Sequence, residues 1–173
     1  MSTLFEFGHL VSYSFWFGAQ SWLLGVQGFV LRATVTRHQF GHIQSRLFPV
    51  FFRVGTIATL VSIGCFAVAH PLTAVSPTEQ MQYILLGGSL VATLLNQLWL
   101  GPASTHLMME YHMIEKEEGL GDEIKTANLT PLDSNKKYQH AKKAFFQYHS
   151  MSALALVASL GCLLVHGFYL CQH

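Results

Sequence analysis

Four stretches of this chain carry no Asp, Glu, Lys or Arg: residues 7–31, 54–78, 80–109 and 144–173. Each exceeds the roughly 20 apolar residues needed to cross ~30 Å of hydrocarbon. Lipid offers no partners to backbone N–H and C=O groups, so each stretch is expected to be helical. The pattern predicts an all-α fold, a four-transmembrane-helix bundle forming one domain over 1–173. Its spans lie at about 7–31, 49–70, 79–109 and 144–168, with a polar hairpin over 110–143. Helices three and four extend beyond the bilayer on the side of the basic loops.

Local signals mark the ends. Ser76, Pro77, Thr78 and Glu79 have the form of a capping box with proline in the first turn, which predicts the start of helix three. Its helical pattern runs on to about Glu118, where Gly119 and Gly121 stop it. Pro102 should kink it near the inner interface. Pro49 suits the first turn of helix two after a connection over 32–46, and Asp133 or Ser134 can cap helix four. Glu115, Glu117 and Glu118 are expected to face Lys136, Lys137 and Lys142 across the polar hairpin.

Composition agrees with the pattern. Hydrophobic residues make up 51% of the 173 positions and charged residues 11%, against about 25% charged in soluble domains. The net charge of +1 gives no basic field for nucleic acid. All ten basic residues fall in two connections. Arg32, Arg37, Arg46 and Arg53 flank the first, where they are read as contacts to anionic lipid headgroups or a partner. Lys116, Lys125, Lys136, Lys137, Lys142 and Lys143 lie in the third. The positive-inside rule then puts both basic connections in the cytosol or matrix and both termini on the opposite side. No basic segment precedes Phe7 and no small-residue cleavage site follows, so the first helix is expected to direct insertion itself. Cys65 and Cys162 lie within predicted spans and read as packing residues; with Cys171 they show no CxxC spacing, and no disulfide framework is indicated.

Small and polar residues mark faces. Gly18, Ser21, Gly25 and Gly28 recur every three or four positions of the first span, continuing a stripe from Ser14 to Arg32, and are read as a helix-packing seam. Ser89, Thr93 and Asn96 share a face of the third span, and Asn96 is expected to join helices by hydrogen bonding or to serve function. His9, His70 and His166 lie toward the outer end. His106 and His149 lie at one depth on adjacent helices near the inner end, the arrangement that bis-imidazole haem ligation requires. Satisfied interfacial histidine is the competing reading. No metal site is expected: no CxxCH, HExxH or carboxylate–histidine pattern is read from the sequence. His38 and His42, four residues apart beside several arginines, read as contacts to headgroups or a partner.

Four strings resemble the transmembrane protein 205 family of small eukaryotic four-helix membrane proteins. They are FGHIQSRLFP at 40–49, NQLWLGPASTHLMM at 96–109, EKEEGLGDEI at 115–124 and FFQYHSMS at 145–152. With Trp22, the similarity covers most of the chain. The resemblance implies that Gln44, Pro49, Asn96, Pro102, Thr105 and His149 are shared polar or turn positions. Gly101 departs from the pattern where an acid is implied, and Ser150 where a glycine is. The family carries no established reaction.

No catalytic constellation stands out, and no enzyme activity is expected. No acid lies inside a span and no span is broken at mid-depth, which weakens an ion-coupled transporter. The leading expectation is an accessory, structural subunit packing through its helices against other membrane subunits. The mitochondrial inner membrane, with a respiratory-type complex, is placed ahead of endomembrane or plasma membrane. The alternatives are a small-solute or metal-handling membrane protein, or a haem-binding four-helix protein; otherwise no cofactor is expected.

Overall fold

A computed structural model describes residues 2–124 and 129–172; Lys125, counted above among the basic loop residues, lies outside them. The chain forms four helical rods. Rod α1 covers 2–34 and is built from Ser2–Trp22, a π turn at Leu23–Gln27 and Gly28–Thr34. Rod α2 is Arg37–Ala69. Rod α3 covers Pro77–Leu95, a second π turn at Asn96–Leu100 and Gly101–Glu117, and α4 is Lys136–Leu170. α1 packs along α2 and α3 along α4, with α2 against α3 and α1 against α4 closing the bundle.

The bundle buries polar side chains among its apolar core and turns large apolar ones outward. Phe29 is 73% exposed and Leu98 70%, while Gln20, Ser89, Asn96 and His166 are fully buried. In water this arrangement would leave a large apolar surface uncovered; against lipid tails it is the favourable one. α2, α3 and α4 are each long and apolar enough to cross a membrane. α1 falls short on composition, diluted by His9, Ser12, Tyr13, Ser14 and Gln20. Its outward face is nevertheless apolar, with Leu4, Phe7, Leu10, Val11, Phe15 and Phe29 exposed.

Interhelical hydrogen bonds step through the interior. Near the end remote from the basic connections His9 Nδ1 donates to the Ser62 carbonyl at 2.9 Å, leaving its Nε2 to accept from His166 Nε2 at 2.9 Å. Tyr13 Oη donates to the Leu163 carbonyl. At mid-depth Gln20 Nε2 donates to Ser159 Oγ at 3.1 Å, and Ser159 Oγ lies 2.8 Å from Ser89 Oγ. Further in, Asn96 Nδ2 donates to the Ser152 carbonyl at 3.1 Å, so Asn96 joins α3 to α4. Such bonds are worth about 0.6–2 kcal/mol each in membranes.

The helix ends follow the sequence in two places. Ser76 Oγ and Glu79 form a complete capping box. Helix three ends with the Leu120 N–H on the Glu115 carbonyl and the Gly119 N–H on the Lys116 carbonyl. That is a Schellman closure, and Gly119 (φ 70°) supplies its left-handed residue.

Elsewhere the structure corrects the sequence reading. The first connection is only Val35 and Thr36, because Thr36 and Gln39 form a second capping box that starts α2 at Arg37. Pro49 therefore lies inside α2. It sits at an exposed position near the basic end and leaves the Ser45 carbonyl without its helical N–H donor. Pro102 follows the π turn: the Gly101 N–H reaches back to the Asn96 carbonyl, and the helix continues through Glu117. Asn135, one or two residues past the expected cap, accepts from the Tyr138 N–H. Among the described residues no ion pair joins Glu115, Glu117 or Glu118 to the lysines of α4, because Glu115 points inward.

The small-residue stripe is not a seam inside this bundle. Gly18 and Gly25 are exposed, and a Cβ built at Gly18, Gly25 or Gly28 would meet nothing within 4 Å. Ser21 donates to its own helix, at the Phe17 carbonyl. The packed face of α1 is offset from the stripe and carries His9, Trp16 and Gln20. The close approach there is made by Gly55 of α2, whose missing Cβ leaves room for the Trp16 ring.

Candidate functional site

Two features concentrate polar groups in the half of the bundle nearer the basic connections. The first is a cavity of about 180 Å³ walled by all four rods. Phe48, Phe52, Met108 and Phe145 give it an apolar body, and Gln27, Gln44, Thr105 and His149 bring polar groups to its wall. Ser104 and Ser152 add two hydroxyls. Gln27 belongs to the π turn of α1, and Gly101 follows the π turn of α3. A π turn shifts the helical register by one residue and often marks a functional site. A Cβ at Gly101 would lie 2.6 Å from the Asn96 carbonyl oxygen, so this turn depends on glycine. A chain with an acid at that position must close the turn differently.

Buried Gln27 Nε2 has no hydrogen-bond partner among the described residues. A buried amide without a partner costs about 1–3 kcal/mol, which a hydrogen-bonding occupant of the cavity would recover. The His149 ring stacks on Phe145 with centroids 5.2 Å apart.

The haem reading fares poorly against this geometry. His106 is exposed and does not line the cavity that holds His149, and no contact joins the two among the described residues. A volume of about 180 Å³ is also below the roughly 300 Å³ at which sites for drug-sized ligands begin.

The second feature is centred on Glu115, which is fully buried. Arg37 Nη2 donates to Oε1 at 2.7 Å and Tyr138 Oη donates to the same oxygen at 2.8 Å. His38 Nε2 lies 3.1 Å from Oε2. His112, one turn before Glu115 on α3, packs on His38 with ring centroids 4.8 Å apart. Arg37 also lies over the Tyr111 ring at 5.6 Å. Burial, helped by the neighbouring His38 and Arg37 charges, holds the His112 imidazole down to about 3, so it is neutral at ordinary pH. Burial pushes Tyr111 up to about 12. Burial, then its bond to Glu115, also raises Tyr138.

The 119–124 segment closes over this cluster. Gly121 (φ 100°) lets its carbonyl accept from the His38 N–H, while the Glu123 carbonyl accepts from the Arg37 N–H. These two bonds occupy N–H groups at the start of α2.

The sequence-derived candidates therefore divide. Gln44, Thr105, His149 and Gly28 line the cavity; Asn96 is buried beyond its edge, and Pro49 and Pro102 are exposed. Arg32, Arg46 and Arg53 are exposed toward the basic end, whereas Arg37 is committed to Glu115. Gln27 was not singled out from the sequence, and Glu115 was read there only as a surface partner of the lysines. The available signal for Glu115 was its spacing: Met108, Tyr111, His112 and Glu115 follow a three- to four-residue period that continues the buried face of α3 into its polar end.

A family model described as "Domain of unknown function (DUF4149)" matches residues 11–113. A protein of Danio rerio named "Transmembrane protein 205" is 35% identical over 167 residues, covering 94% of this chain and 89% of the relative. No solved structure matches the chain.

Proposed function

Because the chain belongs to the transmembrane protein 205 family, we propose that it is a four-span membrane protein that binds a small, uncharged, hydrogen-bonding solute between its helices. The observation that carries this reading is the cavity, with its apolar body, its polar wall and the unpartnered Gln27 amide. Few convergent polar groups in an apolar pocket are the usual make-up of a small-molecule site. Size supports it as well, since a cavity of roughly 150 Å³ suffices for a benzene-sized guest. α1 counts as the fourth span on the strength of its apolar outward face and charge-free 7–31 stretch. The positive-inside rule places the basic connections in the cytosol or matrix. Nothing in the chemistry of the cavity requires catalysis, and we take the protein to be a non-enzyme.

The test uses the full chain in lipid nanodiscs with benzamide and phenol as probes. At least one should raise the melting temperature saturably. Gly28→Leu, which places a side chain into the open space at the cavity wall, should abolish the shift. No saturable effect in the wild type, or an unchanged one in Gly28→Leu, would sink the proposal.

One observation favours the accessory-subunit reading beside it. The stripe at Ser14, Gly18 and Gly25 faces outward with open space above its glycines, which suits close docking of a helix from another subunit. Under this reading, native purification retains a partner that Gly18→Leu releases; wild-type protein that purifies without partners from its own membrane counts against it. A mitochondrial inner-membrane site is the same reading's choice of compartment, and fractionation of tagged protein checks it.

A further inference from the structure

We propose that His38, His112 and Glu115 form a three-ligand site for a borderline divalent transition-metal ion of the Zn²⁺ class. One donor atom from each lies within 4.8 Å of the others. Four-coordinate zinc at about 2.0–2.2 Å from its ligands sets donors roughly 3.4 Å apart. His38 Nε2 and Glu115 Oε2 already stand at 3.1 Å. The longer separations are those to His112.

Three observations go beyond proximity. The carboxylate is oriented: Arg37 and Tyr138 both hold Oε1, leaving Oε2 as the ligating oxygen. Outer partners of this kind fix a ligand's direction and tune affinity. The two imidazoles are also seated against backbone. A Cβ at Gly41 would come to 2.5 Å from His112 Cε1, and one at Gly121 would overlap the His38 ring. Glycine at both positions lets the rings close on one point, and both glycines fall in strings that carry the family resemblance. Finally, His38 and His112 line an open cleft with His42, Met109 and Met113. The imidazole side of the site therefore opens to the cleft, which suits an exchangeable site better than a closed structural one. Two imidazoles and one carboxylate select Zn²⁺ and its neighbours over Mg²⁺ or Ca²⁺, which prefer oxygen donors alone.

Without an ion, the same groups still make an ion pair between half-buried Arg37 and buried Glu115. That pair explains Glu115 but not the His38 imidazole on its second oxygen with the His112 ring packed beside it. The site is separate from the interhelical cavity and stands whether or not the cavity binds a solute.

The test uses the full chain in nanodiscs, stripped with chelator and titrated with Co²⁺ and Zn²⁺. Binding is read by elemental analysis after gel filtration and by the visible spectrum of the Co²⁺ form. The wild type should take up one tight equivalent with the intense bands of four-coordinate Co²⁺. His38→Asn combined with His112→Asn should lose that equivalent while any loose binding to surface histidines persists. Tyr138→Phe, which removes only the hydroxyl on Oε1, should weaken binding roughly 10–100-fold. Absence of a tight equivalent, a six-coordinate spectrum, or equal uptake by the folded double variant overturns the proposal. Should the double variant not fold, the decision passes to Tyr138→Phe, whose unchanged affinity overturns it.

Discussion

Replacing Gly55 with alanine tests the packing of α1 on α2 with a single methyl group. Gly55 is buried on α2, and an added Cβ would fall within the Trp16 ring, overlapping Cη2, Cζ2 and Cζ3. Trp16 has little freedom to move away. It is 1% exposed, and its ring lies against Phe51 with centroids 4.8 Å apart. Overpacking of a filled interior costs about 1–3 kcal/mol, and the higher helix propensity of alanine returns up to about 1 kcal/mol. The control is Gly25→Ala, where a Cβ meets nothing and only the propensity gain remains. The two variants should therefore differ by roughly 1–3 kcal/mol, with Gly55→Ala the weaker. Reversible unfolding in mixed micelles by increasing SDS fraction, followed by tryptophan fluorescence, measures the gap. Adding Trp16→Phe to Gly55→Ala should recover part of the loss as a favourable coupling energy. The reasoning fails if Gly55→Ala is as stable as Gly25→Ala, since Trp16 would then not be packed against that glycine.

Three further outcomes are expected. His9→Phe leaves the His166 ring donor buried without its acceptor and should cost about 1–3 kcal/mol in the same unfolding assay; His9→Asn, able to accept in its place, should cost less. Asn96→Ala removes the bond to the Ser152 carbonyl and should lower stability by about 0.6–2 kcal/mol, whereas Leu98→Ala on the lipid-facing surface should leave the bundle nearly unchanged. An impermeant thiol reagent should reach Asp122→Cys only from the cytosolic or matrix side and native Cys171, which is exposed, only from the other. Labelling of both from one side would overturn the four-span topology.

Charge segregation along the chain was enough to predict four helical rods, the long third helix and its glycine stop. Each of these follows from local chemistry: the absence of charge over 20 or more residues, a capping box, a left-handed closing residue. The resemblance strings likewise pointed to the family that the comparisons support. Register was a different matter. The stripe on the first helix had the spacing of a seam, yet the bundle turns it outward and packs the neighbouring face, because Trp16 finds its complement in Gly55 on another rod. Spacing defines a face of a helix but cannot say which face meets a partner. The carboxylate hairpin was misjudged for the same reason. Glu115 looked like one of several surface acids until α2, α3, α4 and the 119–124 turn brought Arg37, His38 and Tyr138 around it. The cavity depends on two π turns, each displacing side chains by one residue, and no local residue pattern announced them. Periodicity and charge are written along one dimension and specify the rods; the sites arise where separate rods face each other, and the fit of particular side chains across that gap decides them.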